Sequence, residues 1–221
     1  MRRILIAPSI LAAPHDTPEQ RQRAARQAEK GGADLIHVDV MDGTFVPRET
    51  VWNDPDKLKE LDVDLPLDVH LMIEDPDERA LDFVHAGANM ITVHAEASQD
   101  PEVLLSKLHH WDVKVGLAIN PDTSLERAEP YLPLIDYLLI MTVHPGKAGQ
   151  AFLQEVLEKV AEAKKRHPHL KVEVDGGLNH DTIPAVLEAG ADILVIGHAI
   201  YSADAPEDTI GSLRALAEKS F

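Results

Sequence analysis

The sequence predicts an α/β protein folded as a (β/α)8 TIM barrel, a closed parallel sheet ringed by helices. Three observations carry that prediction. One pattern recurs, at Gly32-Ala33-Asp34-Leu35-Ile36-His37-Val38-Asp39, Gly87-Ala88-Asn89-Met90-Ile91-Thr92-Val93-His94 and Gly190-Ala191-Asp192-Ile193-Leu194-Val195-Ile196-Gly197. Each copy joins a glycine suited to ending a helix, a short polar turn and an apolar run rich in β-branched residues. The apolar runs lack clean alternation, as expected of parallel strands covered on both faces. Finally, eight such units in 221 residues leave roughly 27 residues each, near the lower size of a closed barrel. An open doubly wound sheet is the alternative, but no Gly-x-Gly-x-x-Gly follows the first strand.

Taken in order, the strands are expected near Ile4–Ser9, Leu35–Val40, Leu67–Met72, Met90–His94, Val115–Asn120, Tyr137–Thr142, Val172–Asp175 and Ile193–Ile196. Amphipathic stretches at Thr17–Lys30, Asp77–Ala86, Phe152–Arg166 and Thr182–Ala189 are expected to be helices between them. Thr17-Pro18-Glu19, Asp75-Pro76-Asp77 and Asn120-Pro121-Asp122 each set a capping residue beside proline, a helix-start signal. No linker, low-complexity stretch or charge block divides the chain, so residues 1–221 are expected to form a single catalytic domain.

Composition narrows the function. Acidic residues number 38 against 21 basic ones, a net charge of −17, which argues against nucleic acid or an anionic membrane as partner. Cysteine is absent, which removes disulfides, thiolate nucleophiles and sulfur-ligated metals. No apolar run approaches the roughly 20 residues that span a bilayer. The apolar segment after Met1-Arg2-Arg3 is too short for a signal core, so a cytoplasmic location is expected.

In barrels of this kind the chemistry sits at the C-terminal ends of the strands. Here those ends carry Ala7-Pro8-Ser9, His37-Val38-Asp39-Val40-Met41-Asp42-Gly43, Asp68-Val69-His70-Leu71-Met72, Met141-Thr142-Val143-His144-Pro145-Gly146 and Val174-Asp175-Gly176-Gly177. Residues two apart on a strand share a face, which groups His37 with Asp39 and Met41, and His70 with Met72. Each of these polar residues alone reads equally well as a satisfied core histidine or a turn-capping aspartate. Together, His37, Asp39, His70 and Asp175 can converge on one divalent cation through nitrogen and oxygen donors, which suits zinc foremost, or iron, manganese or cobalt. Met41, Met72 and Met141 flank that set, either as core filling or as an apolar cover over a reacting centre. Gly146-Lys147-Ala148-Gly149-Gln150, Gly176-Gly177 and Gly197-His198 follow late strands, where backbone N–H groups often hold phosphate. His94 and His144, like His198, read as pocket lining or local hydrogen-bonding groups, whereas His109, His110, His167 and His169 read as solvated.

A cation flanked by carboxylates from two sides of a barrel mouth suits proton transfer on a phosphorylated 2-ketose. The C3 proton lies alpha to the carbonyl, and a bound cation stabilises the enediolate left behind. Inverting C3 needs an acid on the face opposite the base, hence two carboxylates in complementary protonation states. Asp39 and Asp175 fit those roles.

The same segments, with Phe45-Val46-Pro47 and Gly116-Leu117-Ala118-Ile119-Asn120-Pro121, resemble ribulose-phosphate 3-epimerases in order and over essentially the whole chain. The resemblance implies a (β/α)8 barrel interconverting D-ribulose 5-phosphate and D-xylulose 5-phosphate. It implies metal ligation by His37, Asp39, His70 and Asp175, acid/base roles for Asp39 and Asp175, substrate contact by Ser9, and a homo-oligomer. The chain departs from the family pattern after strand six, where Lys147 and Ala148 replace an aromatic and a glycine. It departs again at His198, where serine is usual, and at Arg48 and Pro14-His15. These lie where phosphate and the distal sugar would bind. They keep open the same reaction on a ketohexose 6-phosphate such as D-allulose 6-phosphate. A related lyase and a non-catalytic sugar-phosphate-binding barrel are the other readings.

Overall fold

The computed structural model describes residues 3–98, 100–147 and 149–219. Eight parallel strands alternate with helical segments: β1 (Leu5–Pro8), β2 (Ile36–Met41), β3 (Leu67–Met72), β4 (Met90–His94), β5 (Lys114–Ile119), β6 (Tyr137–Met141), β7 (Lys171–Asp175) and β8 (Ile193–Ile196). Seven parallel pairings run β1-β8-β7-β6-β5-β4-β3-β2. The remaining seam, between β1 and β2, is drawn together by a parallel bridge from Ser9 to His37. Asp34 N–H also donates to Ile6 O across it, at 2.9 Å. The result is a (β/α)8 barrel.

The helices are α1 (Pro18–Lys30), α2 (Pro76–His85), α3 (Pro101–Leu108), α4 (Leu157–Arg166), α5 (Ile183–Ala189), α6 (His198–Tyr201) and α7 (Pro206–Lys219). The Thr17 start signal holds in full: Thr17 Oγ1 accepts from Gln20 N–H while Gln20 Oε1 accepts from Thr17 N–H, a reciprocal cap. The Asn120-Pro121-Asp122 signal does not, because only a turn and short 3-10 segments (Leu125–Arg127 and Glu129–Leu134) follow it. Pro130 and Pro133 remove backbone donors there and prevent an α-helical ladder. The β2–β3 connection likewise uses 3-10 turns, at Val51–Asn53 and Pro55–Glu60. The helix expected from Phe152 begins only at Leu157. Leu153 N–H is bound to Thr142 O at 2.9 Å, which holds that stretch against the end of β6.

The largest apolar cluster fills the shell between the strands' outer faces and the helices, with Ile36, Val38, Val40, Val69, Leu71 and Val174 contributed by β2, β3 and β7. Inside the barrel, Leu35, Met90, Tyr137, Ile193 and Val195 form an apolar cluster with Ala7. This packing leaves the inward residues at the C-terminal ends free to build a site. No helix among the described residues is long and apolar enough to cross a membrane.

Candidate active site

The strand register assembles the site in rows. His37 on β2 lies beside Asp68 on β3, Asp39 beside His70, and Met41 beside Met72. Across the mouth, Met141 on β6 lies beside Asp175 on β7. One donor atom from each of His37, Asp39, His70 and Asp175 falls within 4.8 Å of the others. His70 Nδ1 is 3.3 Å from Asp39 Oδ1 and 3.9 Å from Asp175 Oδ2, and His37 Nε2 is 3.5 Å from Asp39 Oδ1. Ser9 donates its hydroxyl to Asp39 Oδ2 at 2.6 Å.

Both imidazoles are pinned from behind. His37 Nδ1 meets Asp68 Oδ2 at 2.7 Å, so its other nitrogen, Nε2, points at the cluster, buried and without a hydrogen-bond partner among the described residues. His70 Nε2 meets His94 Nε2 at 2.8 Å, leaving Nδ1 toward the two aspartates. A buried, unpartnered nitrogen aimed at two carboxylates is the donor set of a divalent cation with nitrogen and oxygen ligands.

A pocket of about 240 Å³ opens above this set. Its wall includes Ser9, Asp39, Asp175 and all three methionines, Met41, Met72 and Met141, together with Gly146, Lys147, Gly149, Gly176, Gly177, Gly197 and His198. Met41 and Met72 pack with Leu11, Val46 and Phe45, whereas Met141 packs with Ala118, Leu139 and Val143. Ala148, counted with the phosphate loop, lies outside the described residues. His37 and His70 are fully buried beneath the pocket floor rather than on its wall. His144 is exposed on the rim, 3.7 Å from Asp122. His167, expected to be solvated, is half-buried and paired with Glu129 at 3.0 Å.

A family model described as the ribulose-phosphate 3-epimerase family matches residues 5–201. The chain belongs to that family. A ribulose-phosphate 3-epimerase of Bacillus subtilis is 42% identical over 216 residues, covering 96% of this chain and 98% of the relative. The Schizosaccharomyces pombe protein of that name is 39% identical over 214 residues, covering 95% and 92%. The chain is therefore an epimerase, an isomerase acting on a carbohydrate. Among solved structures, KGPDC from Streptococcus mutans superposes with a TM-score of 0.73 at 15% identity over 99% of both chains. A 3-hexulose-6-phosphate synthase superposes at 0.68 with 21% identity, covering 98% of this chain and 99% of that one. These two likenesses concern the barrel fold.

Within this epimerase the two pocket aspartates differ in electrostatic setting. Despite burial, Asp39 is held far below the ordinary carboxylate range by the neighbouring charge of His37 and the hydrogen bond from His70. Asp175 is pushed up to about 7 by burial and by the Asp39 charge. His37 is raised well above the ordinary imidazole range because Asp68 and Asp39 outweigh its burial. That demand for positive charge between carboxylates is one a divalent cation also meets.

Sequence reasoning missed the polar residues behind the site. Asp68, Thr92, Tyr137 and Glu173 are buried inside the barrel. Tyr137 OH shares a hydrogen bond with Thr92 Oγ1 at 2.7 Å and donates to Asp68 Oδ1 at 3.3 Å. Glu173, 3.6 Å from His37 Nδ1, is pushed well above the usual carboxylate range by burial and the neighbouring Asp68 charge. The signal is present in the chain: Asp68 precedes His70 by two residues and Glu173 precedes Asp175 by two, the spacing that groups His37 with Asp39.

Proposed function

We propose that residues 1–221 act as one catalytic barrel that interconverts D-ribulose 5-phosphate and D-xylulose 5-phosphate by inverting C3. The observation that carries this reading is the placement of Asp39 and Asp175, three strands apart around the ring, on the wall of one pocket and both within 4 Å of His70 Nδ1.

One carboxylate takes the C3 proton and leaves an enediolate. The other, held as the acid, returns a proton to C3 from the opposite face. The two aspartates end the cycle with their protonation states exchanged, and the reverse reaction uses them the other way round. The hydrogen bond from Ser9 fixes Asp39 in the orientation that reaches C3. Met41, Met72 and Met141 keep water from the reacting carbon. His37, Asp39, His70 and Asp175 would hold a divalent cation, zinc foremost. Such an ion supplies Lewis-acid stabilisation of negative charge on the sugar oxygens. Backbone N–H groups at Gly146, Gly149, Gly176, Gly177 and Gly197, all on the pocket wall, would receive the phosphate, with the Lys147 ammonium and the His198 ring at the exposed rim. The chain is expected to act as a homo-oligomer.

The test is incubation of metal-replete protein with D-ribulose 5-phosphate in D₂O, followed by NMR. Xylulose 5-phosphate carrying deuterium at C3, without carbon–carbon cleavage, is the expected product. Asp39→Asn and Asp175→Asn are each expected to abolish turnover while leaving the melting temperature near wild type. Wild-type-like turnover in either variant overturns the acid/base assignment. Inversion of D-allulose 6-phosphate at higher kcat/KM than the pentose would move the substrate to a ketohexose phosphate.

A further inference from the structure

His94 lies at the end of β4, fully buried, and does not line the pocket. Its ring stacks on His70 at 4.9 Å between centroids, tilted 23°, and its other neighbour is Phe45 at 4.8 Å. On one side His94 Nε2 meets His70 Nε2 at 2.8 Å. On the other, His94 Nδ1 meets Glu96 Oε2 at 3.2 Å. The second oxygen of Glu96 is already occupied: Oε1 accepts from Asn120 N–H at 2.9 Å and from the Thr123 hydroxyl. Lys159 braces the same loop by donating to the carbonyls of Asn120 and Pro121 at 3.0 and 2.8 Å.

Valence fixes the protons along this chain once His70 uses Nδ1 as a ligand atom. A ligating imidazole has one remaining N–H, on Nε2. That N–H faces His94 Nε2, which must accept it with its lone pair. The N–H of His94 is then on Nδ1, where the acceptor it meets is Glu96 Oε2. The two ends of the chain therefore demand the same tautomers, and a carboxylate at the far end strengthens each donor before it.

We propose that Glu96, acting through His94, is a positioning residue that sets the tautomer and ligand strength of His70, and with it the affinity of the site for its divalent cation. The relay rests on the metal-site reading of His37, Asp39, His70 and Asp175. It differs from the His37–Asp68 contact in using two imidazoles in series, with the carboxylate anchored in the loop after β4 rather than inside the barrel.

Three substitutions separate positioning from simple packing. Glu96→Gln keeps an oxygen for Asn120 and Thr123 but sets an N–H2 against the N–H of His94. His94→Leu removes the acceptor for His70. His94→Gln restores an oxygen toward His70 and an N–H toward Glu96. Apo proteins are titrated with zinc against a chromophoric chelator, and the zinc-loaded proteins are studied by long-range ¹H–¹⁵N correlation to read which ring nitrogens carry protons. Zinc binding is expected to weaken roughly 10- to 100-fold in Glu96→Gln and His94→Leu. In His94→Gln it is expected to stay within about threefold of wild type, matching the one-acceptor, one-donor pattern of a neutral imidazole. Wild-type spectra are expected to show protons on His70 Nε2 and His94 Nδ1. Unchanged zinc affinity in both Glu96→Gln and His94→Leu overturns the relay, as does a His70 proton on Nδ1 or a His94→Gln variant as weak as His94→Leu. A wild-type chain that binds no zinc overturns the relay and the metal site together. One that binds zinc with the expected variant pattern but epimerises no ketose phosphate leaves the relay standing and removes only the proposed reaction.

Discussion

Gly176 follows Asp175 directly and lines the pocket, so its backbone sets where that carboxyl reaches. Its φ is +121°, and a Cβ added there would lie 2.5 Å from Val143 Cγ2 and 2.9 Å from Val143 N. The Thr142 hydroxyl pins the same segment from below, donating to Gly176 O at 2.6 Å and Asp175 O at 3.0 Å. Gly176→Ala therefore incurs both left-handed strain and a collision with backbone that cannot move freely. Gly87 is the matched control, because its φ is +112° and a Cβ there meets nothing within 4 Å. Strain of about 1–2 kcal/mol is common to both substitutions. The collision adds roughly 1–3 kcal/mol to Gly176→Ala alone. For a chain of this size that difference corresponds to a melting temperature lower by about 3–10 °C relative to Gly87→Ala. Thermal and urea unfolding of the two variants side by side measures it. Equal destabilisation by the two substitutions would refute the close-approach reasoning, whatever their absolute values.

Further outcomes follow from the buried polar groups. Tyr137→Phe strips a donor from Asp68 and a partner from Thr92, all three being buried, and is expected to cost about 1–3 kcal/mol in urea unfolding. Arg21→Ala removes a buried guanidinium that holds Glu60, donates to His15 O at 2.8 Å and lies 5.9 Å from the centroid of the Trp52 ring. A loss of about 2–3 kcal/mol is expected by the same measurement. Hydrogen bonds from His94, Asn120 and Thr123 outweigh burial and hold Glu96 at about 2, below its ordinary 4.5. A depressed carboxyl stabilises the fold above its unfolded value and loses that contribution as pH falls through the folded value. Stability is thus expected to drop between about pH 4.5 and pH 2, with Glu96 contributing about 2 kcal/mol once its partial exposure is allowed for. Glu96→Gln should flatten that part of the pH–stability curve, and an unaltered slope would remove Glu96 as a source.

Much of this arrangement is legible in the sequence, for a definite reason. The glycine-to-strand pattern repeats because each unit must stop a helix and enter a buried strand, and Gly32, Gly87 and Gly190 do adopt positive φ. Period-two reasoning places His37, Asp39 and Met41 together because strand geometry is local. Contacts between units are less legible. Nothing local to β4 tells His94 that it will meet His70 rather than line the pocket, because that contact depends on the inter-strand register. The 3-10 connection after β5 is hidden for a different reason: a cap followed by proline starts a helix only where no later proline interrupts it, and Pro130 and Pro133 do so here.

The expectation of strands without alternation holds for β6 and β8 and fails for the strands that bear the site. Ile36-His37-Val38-Asp39-Val40-Met41 and Leu67-Asp68-Val69-His70-Leu71-Met72 alternate, as does Val172-Glu173-Val174-Asp175. In an open sheet that pattern marks a face turned to water. Here every residue of β2 and β3 is buried, so the polar positions must be satisfied by one another inside the barrel. A one-residue slip between β2 and β3 would turn His37 and Asp39 into the apolar shell and bring Val38 and Val40 to the pocket. The cost of burying unpaired ionisable groups makes that register strongly disfavoured. The residues proposed to hold the ion and move the proton are thus also ones that fix the strand alignment on which the site depends. Alternation of charged and β-branched residues in a parallel, fully buried strand is a sequence-readable mark of such a site.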